Sequence, residues 1–522
     1  MASLIRKIIF LTAIVSLNAC ITIPQLQAQV KHLGYESVKR IEPTMMGFNN
    51  QFAYKNDPWN NEQNVQSIIQ SRAGMIRYPG GTVTNYWDHL NDRLFKTTKV
   101  IDPNTNNPVE AIQEKNTMWW VANYKSKPNS VQNLKLLYEN MKKQGYHFDI
   151  LFVLNVSTPG VDYYRLKWGR EVDQTPLSDD WWKMADDRYE RGVDMLTRAQ
   201  KLGIPVKYVE FGNEIFFGQN KAGTAKNGGS IVEPYNAGAE NTDLIGAFPD
   251  PGDSYGKLCN EWSKRLKQSF PGVTTCALAA DPNGKTASRR NRWNQVALKD
   301  LNPELVDAVS LHIYQVPKDG DVVSSEENLV KSMVSWRDQF DLMVKDYELY
   351  IPEGFDLWFT EWNPRESERT WGHGLLCMYV LDQFLQDFPL TISNYHMFYQ
   401  HIKKKSGINA TGRAFSVLSM ASNGMTQAER MKFSGLPKNS HETLELIFGY
   451  RFRNENGDEQ LFLVNLSSEP QEIELDKNIT ANQFMVSFAE LKNSKKDPRV
   501  NKVSLKENGS LTLPPFSVLS SY

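Results

Sequence analysis

Lys207-Tyr208-Val209-Glu210-Phe211-Gly212-Asn213-Glu214 is a short apolar and aromatic run that ends in a glycine, an amide and a carboxylate. A second stretch, Leu357-Trp358-Phe359-Thr360-Glu361-Trp362-Asn363, has the same build and also ends in a glutamate. Similar runs fall at 45–51, 75–79, 148–155, 273–280, 306–315 and 392–400, which makes eight expected strands. Between most neighbours lies a helical pattern, at 64–72, 131–144, 181–202, 255–270, 325–345, 372–386 and 412–422. The third of these is opened by the capping residues Ser178-Asp179-Asp180 and closed by Gly203 ahead of Pro205. Eight strands alternating with helices predict an α/β chain folded as a (β/α)8 TIM barrel, whose functional groups sit at the C-terminal ends of the strands.

The texture changes after about Ser422. Runs at 444–452, 460–466, 471–475, 483–488, 503–505 and 511–520 read as strands separated by turns such as Asn454-Glu455-Asn456-Gly457 and Glu507-Asn508-Gly509. With no helical period between them, they predict a C-terminal antiparallel β-sandwich. The expected division is therefore a barrel over 29–425 and a sandwich over 426–522, with 30–40 patterned as one more strand for the sandwich.

The chain has 522 residues, with 59 basic against 60 acidic side chains, so no general electrostatic pull toward nucleic acid or an anionic membrane is expected. Its 40% hydrophobic content and mean hydropathy of −0.50 exclude a helical membrane bundle. At the N-terminus, Arg6 and Lys7 precede the apolar run 8–17, the pattern of an export signal. Two processing sites fit: Leu17-Asn18-Ala19-Cys20 approximates a lipobox that would leave a lipid on Cys20 after removal of 1–19, and Leu26-Gln27-Ala28 suits removal of 1–28 by an ordinary signal peptidase. The expected location is thus periplasmic, secreted or lipid-anchored, with Cys20 the one membrane attachment. The other cysteines, Cys259, Cys276 and Cys377, have no metal-binding spacing and allow at most one disulfide. Neither a metal nor a cofactor is expected.

Asn-Glu occurs four times, at Asn61-Glu62, Asn213-Glu214, Asn260-Glu261 and Asn454-Glu455, but only the second directly follows an apolar strand at a barrel position. Glu214 after the fourth expected strand and Glu361 at the end of the seventh would project toward each other across the barrel mouth. Glycosidic bond cleavage requires such a pair of carboxyl groups. Other chemistries lack their motifs: the eight histidines form no His-Glu-x-x-His helix, and neither a Gly-x-Ser-x-Gly elbow nor a P-loop is present.

These residues resemble the acid/base and nucleophile signatures of the clan of retaining (β/α)8 glycoside hydrolases. Arg77-Tyr78-Pro79-Gly80-Gly81-Thr82 is similar to an element of α-L-arabinofuranosidases and, less closely, of heparanase-like glucuronidases. Ser310-Leu311-His312-Ile313-Tyr314 matches the clan's sixth strand, and Leu513-Pro514-Pro515-Phe516-Ser517-Val518 resembles the last strand of the appended sandwich. The continuation Ile215-Phe216-Phe217-Gly218 departs from both families. The resemblance implies Glu214 as general acid/base, held protonated by an apolar setting and nearby negative charge, and Glu361 as nucleophile in a double displacement. It also implies that Asn213 bonds the sugar 2-hydroxyl, that Arg77 orients Glu361, and that His312 and Tyr314 contact nucleophile or sugar.

Three softer readings complete the expected site. Asn49 would bind a sugar hydroxyl, Trp362 would stack on a sugar face or pack within the barrel wall, and Trp119-Trp120 would form a distal stacking platform. The Gly/Asn-rich stretch 219–252 would wall the cleft. The expected partner is an oligosaccharide or polysaccharide, with arabinofuranosides, glucuronides and galactans all open. The contrasting class is a catalytically inactive glycan-binding barrel.

Overall fold

The computed structural model describes residues 29–50, 59, 61–81, 84, 87–94, 98–101, 108–111, 130–156, 179–215, 223–224, 230–231, 255–280, 293–294, 297–314, 323–351, 353–364, 369–398, 407–437, 444–476, 478–479, 481, 483–494 and 497–522. Residues 1–28 with Cys20, where an export signal is expected, the Trp119-Trp120 pair and nearly all of 219–252 lie outside these described residues.

Eight parallel strands close into a barrel in chain order: β2 (Met46–Asn49), β3 (Met75–Tyr78), β4 (Asp149–Leu154), β5 (Tyr208–Phe211), β6 (Thr274–Leu278), β7 (Ala308–Tyr314), β8 (Asp356–Asn363) and β9 (Ser393–Tyr395). Each lies within one of the eight expected runs or differs from it by a residue at an end. Seven helices are present among the described residues: α1 (Glu62–Ser71), α2 (Val131–Lys143), α3 (Asp179–Lys201), α4 (Tyr255–Ser269), α5 (Glu326–Tyr350), α6 (Trp371–Asp387) and α7 (Ala410–Ser422). Side-chain caps explain several of their starts. Asn61 accepts from the Gln63 amide, Thr370 from His373 and Asn409 from Gly412, each satisfying an orphan N–H of the first turn. Gly203, at φ +82°, follows α3 in the left-handed conformation that ends a helix.

The barrel lumen is layered. Met75, Leu151, Tyr208, Cys276, Ala308, Trp358 and Ile392 form a closed apolar floor. Two residues further along the same strands come Arg77, Glu210, Ser310 and Thr360, all fully buried and all polar. A period of two puts these on the same inward face as the floor residues below them. The outward faces pack on the helices, as where Phe359 of β8 stacks on Phe384 of α6 with centroids 3.8 Å apart.

Apart from three two-stranded pairs, Trp87–Asp88 with Arg93–Leu94, Thr98–Ile101 with Pro108–Ala111 and Gly223–Thr224 with Ser230–Ile231, the other described strands form one mostly antiparallel nine-stranded sheet: β1 (Val30–Arg40), β10 (Gln427–Ser434), β11 (Ile447–Arg453), β12 (Glu459–Asn465), β13 (Gln471–Glu474), β14 (Gln483–Phe488), β15 (Arg499–Ser504), β16 (Ser510–Leu513) and β17 (Ser517–Ser521). Strands from opposite ends of the sheet share one core, with Ile473 and Leu511 against Phe484 and Leu519, so the sheet folds over itself as a sandwich. β1 joins it, antiparallel to β10 and parallel to β13. Two details differ from expectation. β10 carries no apolar run, because Glu429 and Arg430 are buried there in ion pairs. The single expected strand at 511–520 is two, divided at Pro514-Pro515-Phe516, where Phe516 has φ +49°. Cys259, Cys276 and Cys377 are buried free thiols.

Sandwich and barrel meet around a buried charge cluster. Arg430 of β10 donates to Asp382 of α6 at 3.0 Å and to Glu36 and Glu445 at 2.7 Å each, and the Tyr450 hydroxyl donates to the same Asp382 at 2.6 Å. Arg430→Ala should cost about 3–5 kcal/mol of stability, since Asp382 would keep its burial without its counter-charge. Urea unfolding of the variant beside wild type measures it, and a loss under about 1 kcal/mol would deny the cluster that role.

Candidate active site

Two backbone features bring the chain to the site. Gly80 follows β3 at φ +77°, and a Cβ there would collide with Asn49 Oδ1 and lie 2.6 Å from the Arg77 carbonyl oxygen. Only glycine lets the Asn49 amide pass. After β5, Gly212 at φ +88° and Glu214 at φ +47° both turn left-handed, and at a glutamate such a backbone costs energy that the surroundings must offset.

A third feature lies in β8. Leu311 pairs with Phe359, but His312 pairs with Glu361, so Thr360 is an extra residue opposite β7. This bulge breaks the alternation of the strand and lets Thr360 and Glu361 both point into the lumen. It also decides between the two expected settings of Trp362. Instead of facing a sugar, the indole is fully buried outside the barrel, donates to Ser393 Oγ at 2.9 Å and packs against Tyr395 and Phe415.

The polar groups then converge on one guanidinium. Arg77 Nε donates to Glu210 Oε2 at 2.6 Å, Nη1 to Glu361 Oε2 at 3.0 Å and to Asn49 Oδ1 at 3.4 Å, and Nη2 to Asn213 Oδ1 at 2.9 Å. Arg77 is fully buried with every nitrogen engaged, so it positions Glu361 and does not itself reach a substrate. Asn49, expected to bind a sugar hydroxyl, is also fully buried and donates to Glu361 Oε2 at 2.6 Å. The Tyr314 hydroxyl donates to the other oxygen of Glu361. Burial and the charges of Glu361 and Glu214 push this phenol well above its ordinary range, so it keeps its proton.

His312 stands between the carboxylates. Nδ1 lies 3.1 Å from Glu214 Oε1 and 3.9 Å from Glu361 Oε2, and Nε2 lies 3.1 Å from Thr360 Oγ1. At 1% exposure it has these carboxylates and Thr360 as its neighbours, in line with the expected contact to the nucleophile side of the site. Burial alone would lower its pKa, but Glu361, Glu210 and Glu214 together outweigh burial and raise it to about 9. Oxygens of Glu214 and Glu361 lie within 4.8 Å of each other and of His312 Nδ1. This is the one group of three potential metal donors among the described residues. Glu361 already receives Arg77, Asn49 and Tyr314, so the donor set fits proton handling better than metal ligation.

Three participants escaped the sequence reading. Glu210 receives Arg77, Ser310 Oγ at 2.7 Å and Thr360 Oγ1 at 2.7 Å. A charge inside an otherwise apolar strand run was its visible signal. Thr360 was hidden by the bulge. His396, just past β9, places Nε2 3.5 Å from Glu361 Oε1 and meets the Tyr314 ring edge-on, and nothing in its local sequence marks it.

A family 51 α-L-arabinofuranosidase from Bifidobacterium longum superposes with a TM-score of 0.57 at 15% identity, covering 93% of this chain and 97% of that one. The family 51 arabinofuranosidase from Xanthomonas axonopodis pv. citri gives 0.56 at 13% identity, over 94% and 99% of the two chains. This chain has their fold. A family 44 xyloglucanase from Paenibacillus polymyxa shares it at 0.53 and 13% identity, over 94% and 98%. In sequence, 117 residues are 28% identical to an intracellular exo-α-(1→5)-L-arabinofuranosidase from Streptomyces lividans, covering 21% of this chain and only 16% of that enzyme. No family model matches the chain.

Glu210 supplies a sign test of the network. Burial would raise its pKa, but the charge of Arg77, that of His312 3.9 Å away and the bond from Ser310 overcome burial and lower it to about 2. Its folded pKa lies below its unfolded one, so its stabilisation is fully present above about pH 4.5 and is lost as the pH falls toward 2. Glu210→Gln should therefore be less stable than wild type by about 3 kcal/mol at pH 7, and the gap should narrow below pH 4.5. Chemical denaturation across that range checks this, and a gap independent of pH would contradict it.

Proposed function

We propose that this chain is a retaining glycoside hydrolase that releases α-L-arabinofuranosyl units from plant or algal glycans, with Glu361 as nucleophile and Glu214 as general acid and base. The observation that carries the reading is the spacing of the two carboxylates at the C-terminal mouth of the barrel, within 4.8 Å oxygen to oxygen. Retaining enzymes hold the pair roughly 5–5.5 Å apart, and inverting ones leave about 6.5–9.5 Å for a water. The roles follow from the partners. Arg77, Asn49 and Tyr314 aim three donors at Glu361, which fixes a carboxylate for in-line attack on the anomeric carbon. Glu214 is more open, with 14% of its side chain exposed, and can reach the departing oxygen.

In the first step Glu214 gives its proton to the leaving oxygen while Glu361 bonds to the anomeric carbon. In the second, Glu214 takes a proton from water, which displaces Glu361 with net retention. The arabinofuranosyl preference rests on the named activities of the fold neighbours and on the Arg77-Tyr78-Pro79-Gly80-Gly81 element. We place the enzyme outside the cytoplasm on the strength of the basic and apolar pattern at 6–17.

The deciding experiment assays the protein on p-nitrophenyl α-L-arabinofuranoside, arabinan and xyloglucan and follows the first product by proton NMR. Arabinose released with its configuration retained supports the reading, and inversion would defeat it. Glu361→Ala should be inactive and regain turnover with azide, as an external nucleophile replaces the missing carboxylate.

The two glutamates also separate by leaving group. Glu214→Ala should lose about 10²–10⁴-fold on unactivated arabinosides. On a dinitrophenyl glycoside it should still form the glycosyl-enzyme, giving a burst and then slow turnover, because that leaving group departs without a proton. Equal fractional losses on both substrates would remove Glu214 from the acid role.

A further inference from the structure

His312 is held on its far side by a chain of groups that settles where its protons sit. Glu210, as a carboxylate, can only accept, and both Ser310 Oγ and Thr360 Oγ1 donate to its Oε1 at 2.7 Å. A threonine hydroxyl has one proton, and Thr360 spends it on Glu210. The 3.1 Å contact between Thr360 Oγ1 and His312 Nε2 must therefore run the other way, with Nε2–H donating. His312 keeps a proton on Nε2 in both charge states, so Nδ1 is the nitrogen that gains and loses one. Nδ1 faces Glu214 Oε1 at 3.1 Å.

We propose that Glu210, Thr360 and His312 form a buried relay that stores the catalytic proton of Glu214 on His312 Nδ1, so that His312 and Glu214 act as one acid–base unit. This rests on the glycosidase reading above. It extends the expectation from sequence that an apolar setting and nearby negative charge keep a proton on Glu214, by letting His312 share that proton.

The surrounding charges fit one shared proton. Arg77 of β3 neutralises Glu210 of β5, Glu361 of β8 lies 3.9 Å from Nδ1, and Tyr314 of β7 stays a neutral donor on Glu361. Cys276 of β6 faces Glu210 as a neutral thiol, raised by burial, and His396 Nε2 lies 3.5 Å from Glu361 Oε1, the oxygen on the Tyr314 side. With those carboxylates around it, an imidazolium beside a Glu214 carboxylate is the resting form. It is equivalent in proton count to neutral His312 beside the Glu214 acid.

The proton then balances through both steps. When the departing oxygen takes it, Nδ1 and Glu214 Oε1 are left as two acceptors facing each other, which raises the pair's affinity for a proton. The attacking water meets that demand. Its O–H bond breaks and the proton returns to the pair, its oxygen bonds to the anomeric carbon, and the bond to Glu361 breaks with its electrons returning to the carboxylate.

The test uses His312→Gln and Thr360→Val in the full chain, with kcat/KM measured against pH on an unactivated arabinoside and on a dinitrophenyl arabinofuranoside. In both variants the basic limb on the unactivated substrate should move down by about one pH unit or more, while the activated substrate loses less than about threefold at its optimum. An unmoved basic limb, or equal losses on both substrates, would reduce His312 to a packing residue. A second readout needs no activity. In ¹⁵N-histidine-labelled wild type, with the His312 signals assigned by difference from His312→Gln, Nε2 should stay protonated at all pH values and Nδ1 should titrate, with a lower midpoint in Glu214→Ala. A neutral Nδ1–H tautomer would overturn the relay. If no glycoside is turned over by wild type, the functional reading fails, and the NMR result still decides the relay.

Discussion

The site hangs on the burial of one cation. Arg77 sits at zero exposure in the barrel lumen, directly above an apolar floor, and a lone guanidinium there would be prohibitively costly. Glu210 cancels its charge at 2.6 Å, which leaves the remaining nitrogens free to act on Glu361 and Asn213 by direction. β3, β5 and β8 are thus fixed against one another at the height where the two mouth glutamates must face each other. Asn49 adds β2 through Glu361. The same arrangement leaves Glu361 facing no unbalanced positive charge from Arg77. A carboxylate clamped by a full uncompensated cation would be a poorer nucleophile.

Most of the architecture was legible because the barrel writes itself in two periods. Short apolar runs mark strands enclosed by helices, and amphipathic stretches with recognisable caps mark the helices. The Asn213-Glu214 and Glu361 strand ends could likewise be picked out, because a carboxylate directly after a buried strand is conspicuous. What stayed hidden depended on geometry that residue type does not encode. Nothing in Phe359-Thr360-Glu361 announces an extra residue, so the inward and outward faces of β8 could not be assigned. β10 was missed because Glu429 and Arg430 look like surface residues until their partners Arg451, Glu36, Asp382 and Glu445 are brought in from other strands and helices.

Shared fold and shared chemistry are separate claims here. At 12–15% identity the superposed structures agree on the path of the chain over most of its length, which says where a site would be. What bears on chemistry is atomic: three donors on Glu361, a histidine at Glu214, and oxygens of the two glutamates within 4.8 Å of each other. The sandwich contributes by packing. Its central strands β10 and β11 bond to Asp382 of α6, and α6 in turn covers Phe359 and Trp362 on the back of the strand that carries Glu361.

The extra residue at Thr360 makes β8 a matter of parity. Trp358 and Glu361 face the lumen three positions apart, an odd interval that the bulge makes possible. Deleting Thr360 would restore plain alternation and leave the carboxylate inward, but would take away the hydroxyl that joins Glu210 to His312. Deleting Phe359 as well would turn Glu361 onto the helices and the Trp362 indole into the lumen. Anyone grafting this constellation into another barrel must carry over the extra residue together with the facing stretch of β7, because the residues alone do not specify which way they point.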